Sequence, residues 1–249
     1  MAILSVNVNK VATLRNSRGG HEPSVIEAVR VVIDAGAPGI TVHPRQDERH
    51  ITRQDVRDIA DELTPLRGRV EFNIEGDPRP DLLALVHAVR PDQCTLVPVL
   101  PGEITSQAGW SPDTPVDALT RQVGELRAAG IRVSVFVDPE PRAVRWAARL
   151  GADRVELYTE PFARAFARGP QAAGASFAVY AEAAHVAHEE GLGVNAGHDL
   201  DLHNLSLFHS LPHLDEVSIG HALMAHALYV GLRQSVTDYL AAVAGQPSR

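Results

Sequence analysis

The 249-residue sequence contains a single cysteine, Cys94. One thiol excludes an internal disulfide framework and fits a reducing compartment. Its setting, CTLVP, reads as a packed strand, so Cys94 is expected to be inert core. No apolar run approaches the roughly 18 residues of a membrane span. The first residues, MAILSVNVNK, lack a basic segment followed by an apolar one, so no secretory signal is read and a cytoplasmic location is expected. Basic residues are not in excess either: the formal net charge is −8. That opposes a general affinity for nucleic acid, while leaving a local anion pocket open. No segment reads as a linker. The length suits one (β/α)8 barrel of about 250 residues, so residues 1–249 are expected to form a single barrel domain.

What is present is a recurring junction: an amphipathic helix, a glycine turn, then a short β-rich run. DAGAPGITVH, RAAGIRVSVF, RLGADRVELY and EEGLGVNAGH are four copies of it. Glycine takes the left-handed conformation cheaply at a helix C-terminus. Helical spacing is clear at Val25, Ile26, Val29, Val32 and Ile33, and again at Val56, Ile59, Ala60 and Leu63. Ser24 with Glu27 reads as a capping box, and Thr52 with Asp55 as a weaker variant. Candidate strands fall near 3–8, 39–43, 70–75, 93–98, 131–137, 153–158, 192–196 and 215–219, each followed by a helical segment. Eight alternating units predict an α/β TIM barrel, (β/α)8, with extra short helices. The alternative is an open doubly wound sheet, although no Gly-x-Gly-x-x-Gly follows the first strand. Segments 98–114 and 158–175 read as long loops on the catalytic face, as lids or as ordinary surface.

Four of the strands place polar residues on alternate positions: Asn7/Asn9, Thr41/His43, Asn73/Glu75 and Glu156/Tyr158. Residues two apart share a strand face. Buried parallel strands normally read as unbroken apolar runs, so this alternation predicts a polar barrel interior. Strand ends on the catalytic face offer Asn7, Asn9, Lys10, His43, Arg45, Glu75, Glu156 and His198. A carboxylate in such an interior needs a partner or takes a raised pKa, which suits acid–base work near neutrality. Glu75 reads as catalytic or as the orienter of a cation, and Glu156 as catalytic or supporting. His50 follows His43 and Arg45 closely, making a cluster. Gly197 before His198 permits a tight turn that could present the imidazole, and His203 reads as a cap or supporting group.

Two places suggest phosphate. SIGH leads into a helix at Ala222, and a glycine turn at a helix start offers free N–H groups and the positive dipole end. The first loop, ATLRNSRGG, supplies Arg15, read as an ion pair, and Arg18, read as functional. No metal site is expected: no His-x-His closes the first strand, and His198 and His203 are not at helical ligand spacing.

In order along the chain, VNVNKVATLRNSRGG, GITVHPRQDERHI, VEFNIEG, LVP with EIT, VELYTEPFA, GVNAGHDLDLHN and IGHAL resemble the pyridoxine 5′-phosphate synthase family. The resemblance runs from Ser5 to about Leu232, and HPRQDERHI with NAGHDLDLHN is its most specific part. It implies a (β/α)8 barrel that condenses 1-deoxy-D-xylulose 5-phosphate with 3-amino-2-oxopropyl phosphate. The products would be pyridoxine 5′-phosphate, phosphate and water, with no redox cofactor or metal. It implies His43 and Glu75 as proton acceptors, His198 as proton donor, and Asn7 on the aminoketone phosphate. It puts Arg18, Arg45, His50 and Thr105 around the substrates and Gly220 with His221 at a phosphate. Octamers are implied, with Arg18 reaching a neighbouring site.

The chain departs from the commoner family pattern in several places. Asn9-Lys10 stands for Asp-His, Val99 for an acidic residue, Thr159-Glu160-Pro161-Phe162 for Thr-Gly-Pro-Tyr, and Asp199 for glycine. Lys10 is therefore expected either to contact the ketose phosphate or to pair with Glu75 or Glu156. Asn9, Glu156 and Asp199 join the expected substrate-binding set. The other readings are a diverged lyase or isomerase acting on a related sugar phosphate, and a non-catalytic paralogue that binds a phosphorylated ligand.

Overall fold

The computed structural model describes residues 2–98 and 106–246. Eight parallel strands close into a barrel in chain order, the last pairing with the first. They are β1 (Ile3–Asn7), β2 (Gly39–Val42), β3 (Glu71–Gly76), β4 (Gln93–Leu96), β5 (Arg132–Val137), β6 (Arg154–Tyr158), β7 (Gly193–Gly197) and β8 (Leu214–Ile219). All eight lie where the sequence places them. The helices are α1 (Asn9–Asn16), α2 (Val25–Asp34), α3 (Arg53–Leu63), α4 (Pro80–Val89), α5 (Asp117–Ala128), α6 (Pro141–Arg149), α7 (Glu160–Ala167), α8 (Pro170–Glu189), α9 (Leu205–Phe208), α10 (His221–Val230) and α11 (Leu232–Val243). Three βα connections carry two helices each, which accounts for the extra helices expected.

Two local readings are corrected. Segment 158–175 is not a loop: α7 and the start of α8 occupy most of it. Its prolines, Pro161 and Pro170, sit in the first turns of these helices, where the missing N–H costs nothing. The prolines mark helix starts there, not breaks. Asn9 does not share a strand face with Asn7, because β1 ends at Asn7 and Asn9 opens α1. Of segment 98–114, positions 99–105 lie outside the described residues, and so do the expectations at Val99 and Thr105.

The barrel's inner face departs from the usual assignment. A (β/α)8 interior is normally filled by bulky branched residues. Here the outward face is apolar and buried under helices: Leu4, Val6, Ile40, Val42, Phe72, Ile74, Cys94, Leu96, Val133, Val135, Val155, Leu157, Val194 and Val217. The inward face is polar. Ser5 Oγ lies 2.7 Å from Thr41 Oγ1, Asn73 donates to Thr41 at 3.4 Å, and Thr95 donates to Asn73 Oδ1 at 3.0 Å. This ladder crosses four neighbouring strands. Folding free energy must come from the layer between barrel and helices. There the buried rings of Phe162, Tyr180 and Phe208 pack with centroids 4.9–5.9 Å apart. Tyr180 also spends its hydroxyl on the Tyr158 carbonyl (2.6 Å), fixing the C-terminal end of β6. Cys94 is buried on the outer face, and burial pushes its thiol up to about 12. It is inert, as expected.

The start of α3 is tied to α1. Thr52 and Asp55 form a complete capping box, stronger than the sequence suggests, whereas Ser24 accepts from the Glu27 N–H. Asp55 also holds Arg15 through both carboxylate oxygens, which bears out the ion-pair reading of Arg15. Asn16 and Arg15 donate to the His50 carbonyl at 2.9 and 3.4 Å. Helix α1 thereby pins the loop after β2. Asp55→Ala removes the cap and strands a mostly buried guanidinium, and is expected to cost about 2–4 kcal/mol in urea denaturation. A loss under about 0.5 kcal/mol, the range of an ordinary surface substitution, contradicts this account.

Candidate active site

At the C-terminal ends of the strands a cavity of about 360 Å³ opens. Its lining brings together Asn7, Asn9, Lys10, His43, Arg45, His50, Glu75, Glu156, His198, Asp199, Gly220 and His221. These are nearly all of the residues singled out in the sequence. Arg18 is exposed in the turn after α1 and does not line this cavity. Sequence reasoning missed Val97, Ser106, Phe136 and Ser218, which line it as well.

The asparagines serve the backbone. Asn7 Oδ1 accepts from the Asn9 N–H and Asn9 Oδ1 from the His43 N–H, each at 3.0 Å. The β1–α1 turn thus fixes the backbone from which His43 projects. His43 is buried, with Nδ1 3.8 Å from Glu75 Oε2. That is too long for a hydrogen bond. It is not an ion pair either. Burial, reinforced by the positive fields of His50, Arg45, Arg79 and His198, holds the His43 imidazole down at about 3. Burial and the neighbouring Glu216 push Glu75 up to about 8, against a Ser218 hydroxyl 3.4 Å away. Near neutrality both are uncharged. Groups whose environments drive their pKa values apart are the usual partners in acid–base chemistry.

Glu156 stands well above the ordinary carboxylate range, through burial first and then through Glu75 and Glu216. Thr95 lies within its hydrogen-bond reach. That hydrogen bond works the other way, favouring the charged form, and is outweighed. Gly197 leaves room for this carboxyl: a side-chain carbon at 197 would run into Glu156 Oε1. The turn after β7 is made by His198 (φ 81°) and Asp199 (φ 59°) themselves. The expected turning role of Gly197 is therefore corrected. Two successive non-glycine residues in the left-handed region are strained, and other contacts must hold them. Thr159 donates to the carbonyls of Gly197 and His198, and Asn204 to that of Asp199 (2.9 Å). The His198 ring sits against Phe136 and Tyr158, centroids 5.6 and 5.3 Å away. Burial lowers its pKa, while Asp199 and Glu160 oppose that.

Cations ring the mouth. Lys10 is the only lysine in the sequence. Among the described residues it forms no ion pair with Glu75, Glu156 or any other carboxylate, so the pairing expectation fails. The Arg45 guanidinium is buried. His50 Nδ1 accepts from the Ile51 N–H at 2.9 Å, which leaves Nε2 to donate. Burial and the charges of Arg45 and Lys10 take His50 down to about 4. Gly220 and His221, at the start of α10, line the cavity too, and such a helix start offers free N–H groups and the positive dipole end. A side chain at 220 would press on Asn7, with contacts near 3.1 Å. No group of three or more His, Cys, Asp or Glu among the described residues is arranged to hold a metal ion. No described helix is long and apolar enough to cross a membrane.

This geometry predicts that His43 stays neutral across the range where histidines normally titrate. In 15N-resolved NMR of the free protein its ring is expected to keep neutral shifts from about pH 8 to about pH 5. A midpoint near the ordinary value of about 6.5 contradicts the assigned environment.

Comparison with known proteins identifies the family. The sequence pattern of the family described as "Pyridoxal phosphate biosynthesis protein PdxJ" matches residues 4–245. A pyridoxine 5′-phosphate synthase of Bacteroides fragilis (strain YCH46) is 54% identical over 240 residues, covering 96% of this chain and 98% of the relative. One of Leptospira biflexa is 49% identical over 250 residues, covering 96% of each. Among solved structures, phosphoribosyl anthranilate isomerase of Thermotoga maritima aligns with a TM-score of 0.62 at 14% identity, covering 98% of this chain and 100% of that one. That likeness concerns the fold alone.

Proposed function

The chain belongs to the PdxJ family and is a synthase-type enzyme of vitamin B6 biosynthesis; we propose that it condenses 3-amino-2-oxopropyl phosphate with 1-deoxy-D-xylulose 5-phosphate to give pyridoxine 5′-phosphate, phosphate and water. The carrying observation is that His43, Glu75 and His198, far apart in sequence, line one cavity whose rim is cationic. The reaction joins an amine to a ketone, expels water and phosphate, and closes a ring. Each step moves a proton on or off carbon, nitrogen or oxygen, so several acid–base groups are needed at once.

In this reading His43 and Glu75 accept protons and His198 donates, Glu75 through the ionised fraction that a pKa of about 8 leaves near neutrality. The assignment of donor and acceptor follows the surroundings. Carboxylates oppose burial at His198, whereas cations surround His43. A free His43 near 3 is a poor base. Two phosphate dianions docking on the rim offset the positive fields that add to the burial effect, so substrate binding raises the imidazole toward a working base. One phosphate takes the Gly220–His221 turn at the start of α10, with Asn7 beside it. The other takes Lys10, Arg45 and His50, where arginine and lysine charges converge. Asn9 and Asp199 border the ketose, and Glu156 supports the imine as a neutral acid. Exclusion of water by the buried floor protects that imine from hydrolysis. Arg18 is exposed and does not line its own cavity, and so suits a neighbouring subunit's site in a homo-oligomer.

The test is direct. Purified protein is incubated with both phosphates, and vitamer formation and phosphate release are followed. His43→Ala, Glu75→Gln and His198→Ala are each expected to lower turnover by about 10²–10⁴-fold. Phosphate release at wild-type rate from all three overturns the assignment, and turnover without the aminoketone points to a lyase or isomerase instead. Lys10→Ala is expected to raise the KM for the ketose phosphate more than that for the aminoketone. Unchanged KM values for both substrates remove Lys10 from the binding role.

A further inference from the structure

Below the reacting groups lies a third buried carboxylate, Glu216 of β8, which does not line the cavity. It points into the barrel next to Asn195 of β7, which in turn stands next to Glu156 of β6. Glu216 Oε2 accepts from Arg154 Nη1 and from Asn195 Nδ2, both at 3.2 Å, and Arg154 also donates to Asn195 Oδ1 at 3.0 Å. Lower still, Arg132 joins Gln93 Oε1 (2.9 Å) and Glu71. The interior is thus layered. Both guanidinium groups serve the floor carboxylates, and neither pairs with Glu75 or Glu156 among the described residues.

We propose that Glu216 is a positioning residue whose negative charge, drawn onto it by Arg154, acts through the dry barrel on Glu75 and Glu156 and keeps protons on them. The reading rests on the synthase function above. Groups facing these carboxyls come from every side. They are His43 beyond β2, Glu71 of β3, Arg132 of β5, Arg154 of β6 and His198 beyond β7, with Lys10, Arg45 and His50 at the rim. Strands β1 and β4 contribute only uncharged Ser5, Asn7, Gln93 and Thr95 to this face. Of all of these, Glu216 is the carboxylate that bears on both catalytic acids. It is the member with a cation in contact, and Arg154 opposes the burial that raises it, which favours its charged form over those of the two unpaired carboxyls. Once charged, it makes ionisation of the two acids above it harder, because like charges in a low-dielectric interior repel.

Neutralising Glu216 therefore lowers the pKa of Glu75 and moves the acid limb of kcat/KM to lower pH. The experiment compares wild type with Glu216→Gln, and with Glu216→Gln/Arg154→Met, which removes the pair without leaving an unpaired charge. Two readouts are taken: the pH profile of kcat/KM, and the titration of the Glu75 carboxyl by 13C NMR in the free protein, assigned by its loss in Glu75→Gln. The expected result is a downward shift of about one pH unit in both, the size of a neighbouring charge in such a setting. A merely structural role lowers stability and turnover but leaves both midpoints in place, and unshifted midpoints in either folded variant overturn the proposal. The NMR arm needs no turnover, so a wild type inactive on the two phosphates refutes the synthase reading separately.

Discussion

Four carboxyl groups point into one barrel, and its two guanidinium groups serve only the lower two, Glu216 and Glu71. The rest of the structure depends on that imbalance. A buried carboxylate without a partner is too costly to keep, so Glu75 and Glu156 hold protons instead. The polar ladder from Ser5 to Thr95 satisfies the walls around them, and Gly197 gives up its side chain so that Glu156 fits. Stability is displaced outward, onto the apolar face that meets the helices. The barrel sacrifices the usual packed interior for a set of neutral acids in fixed positions.

Above the acids, charge of the opposite sign gathers. Lys10 and Arg45 border the cavity with the uncharged His50, and so does the start of α10. This vertical separation is suited to phosphorylated ligands, whose anionic ends stay at the rim while their reacting carbons reach down. It also helps explain why His43 is so weak a base in the free protein. Burial is the main cause, and the field that attracts the ligand adds to it; the ligand's own charge relieves that added part. The chain keeps this economy despite its departures from the commoner family pattern. Asn9 serves the His43 backbone through its amide oxygen, an acceptor that the aspartate it stands for would also offer.

Most of the fold was legible in the sequence, and the reasons are local. Each strand is β-rich and short, four follow the recurring glycine turn, and alternation of polar and apolar residues reveals which face points inward. Polar interior residues then mark the site, which is why His43, Glu75, Glu156 and His198 were visible. What was missed required three dimensions. Asn9 looks like a strand residue because the β1 pattern runs on past the point where the chain turns into α1. Pro161 and Pro170 were read as loop residues because proline starts helices as readily as it ends them. Gly197 looked like a turn residue, whereas its need is steric and comes from Glu156, 41 positions earlier by the numbering. Phe136 carries no chemical signature, and only the structure puts it against His198. Glu216 was legible as a residue of strand eight but not as a charge, since its influence depends on the closure of β8 against β7 and β1.

The account's central claim is that these separated residues act on one pair of phosphorylated ligands at the mouth of this barrel. A crystal structure of the protein soaked with pyridoxine 5′-phosphate and inorganic phosphate tests it most directly. The account predicts the ring between His43, Glu75 and His198, one phosphate at the Gly220–His221 turn and the other beside Arg45 and His50. A ring bound elsewhere, or an empty cavity at saturating ligand, contradicts it.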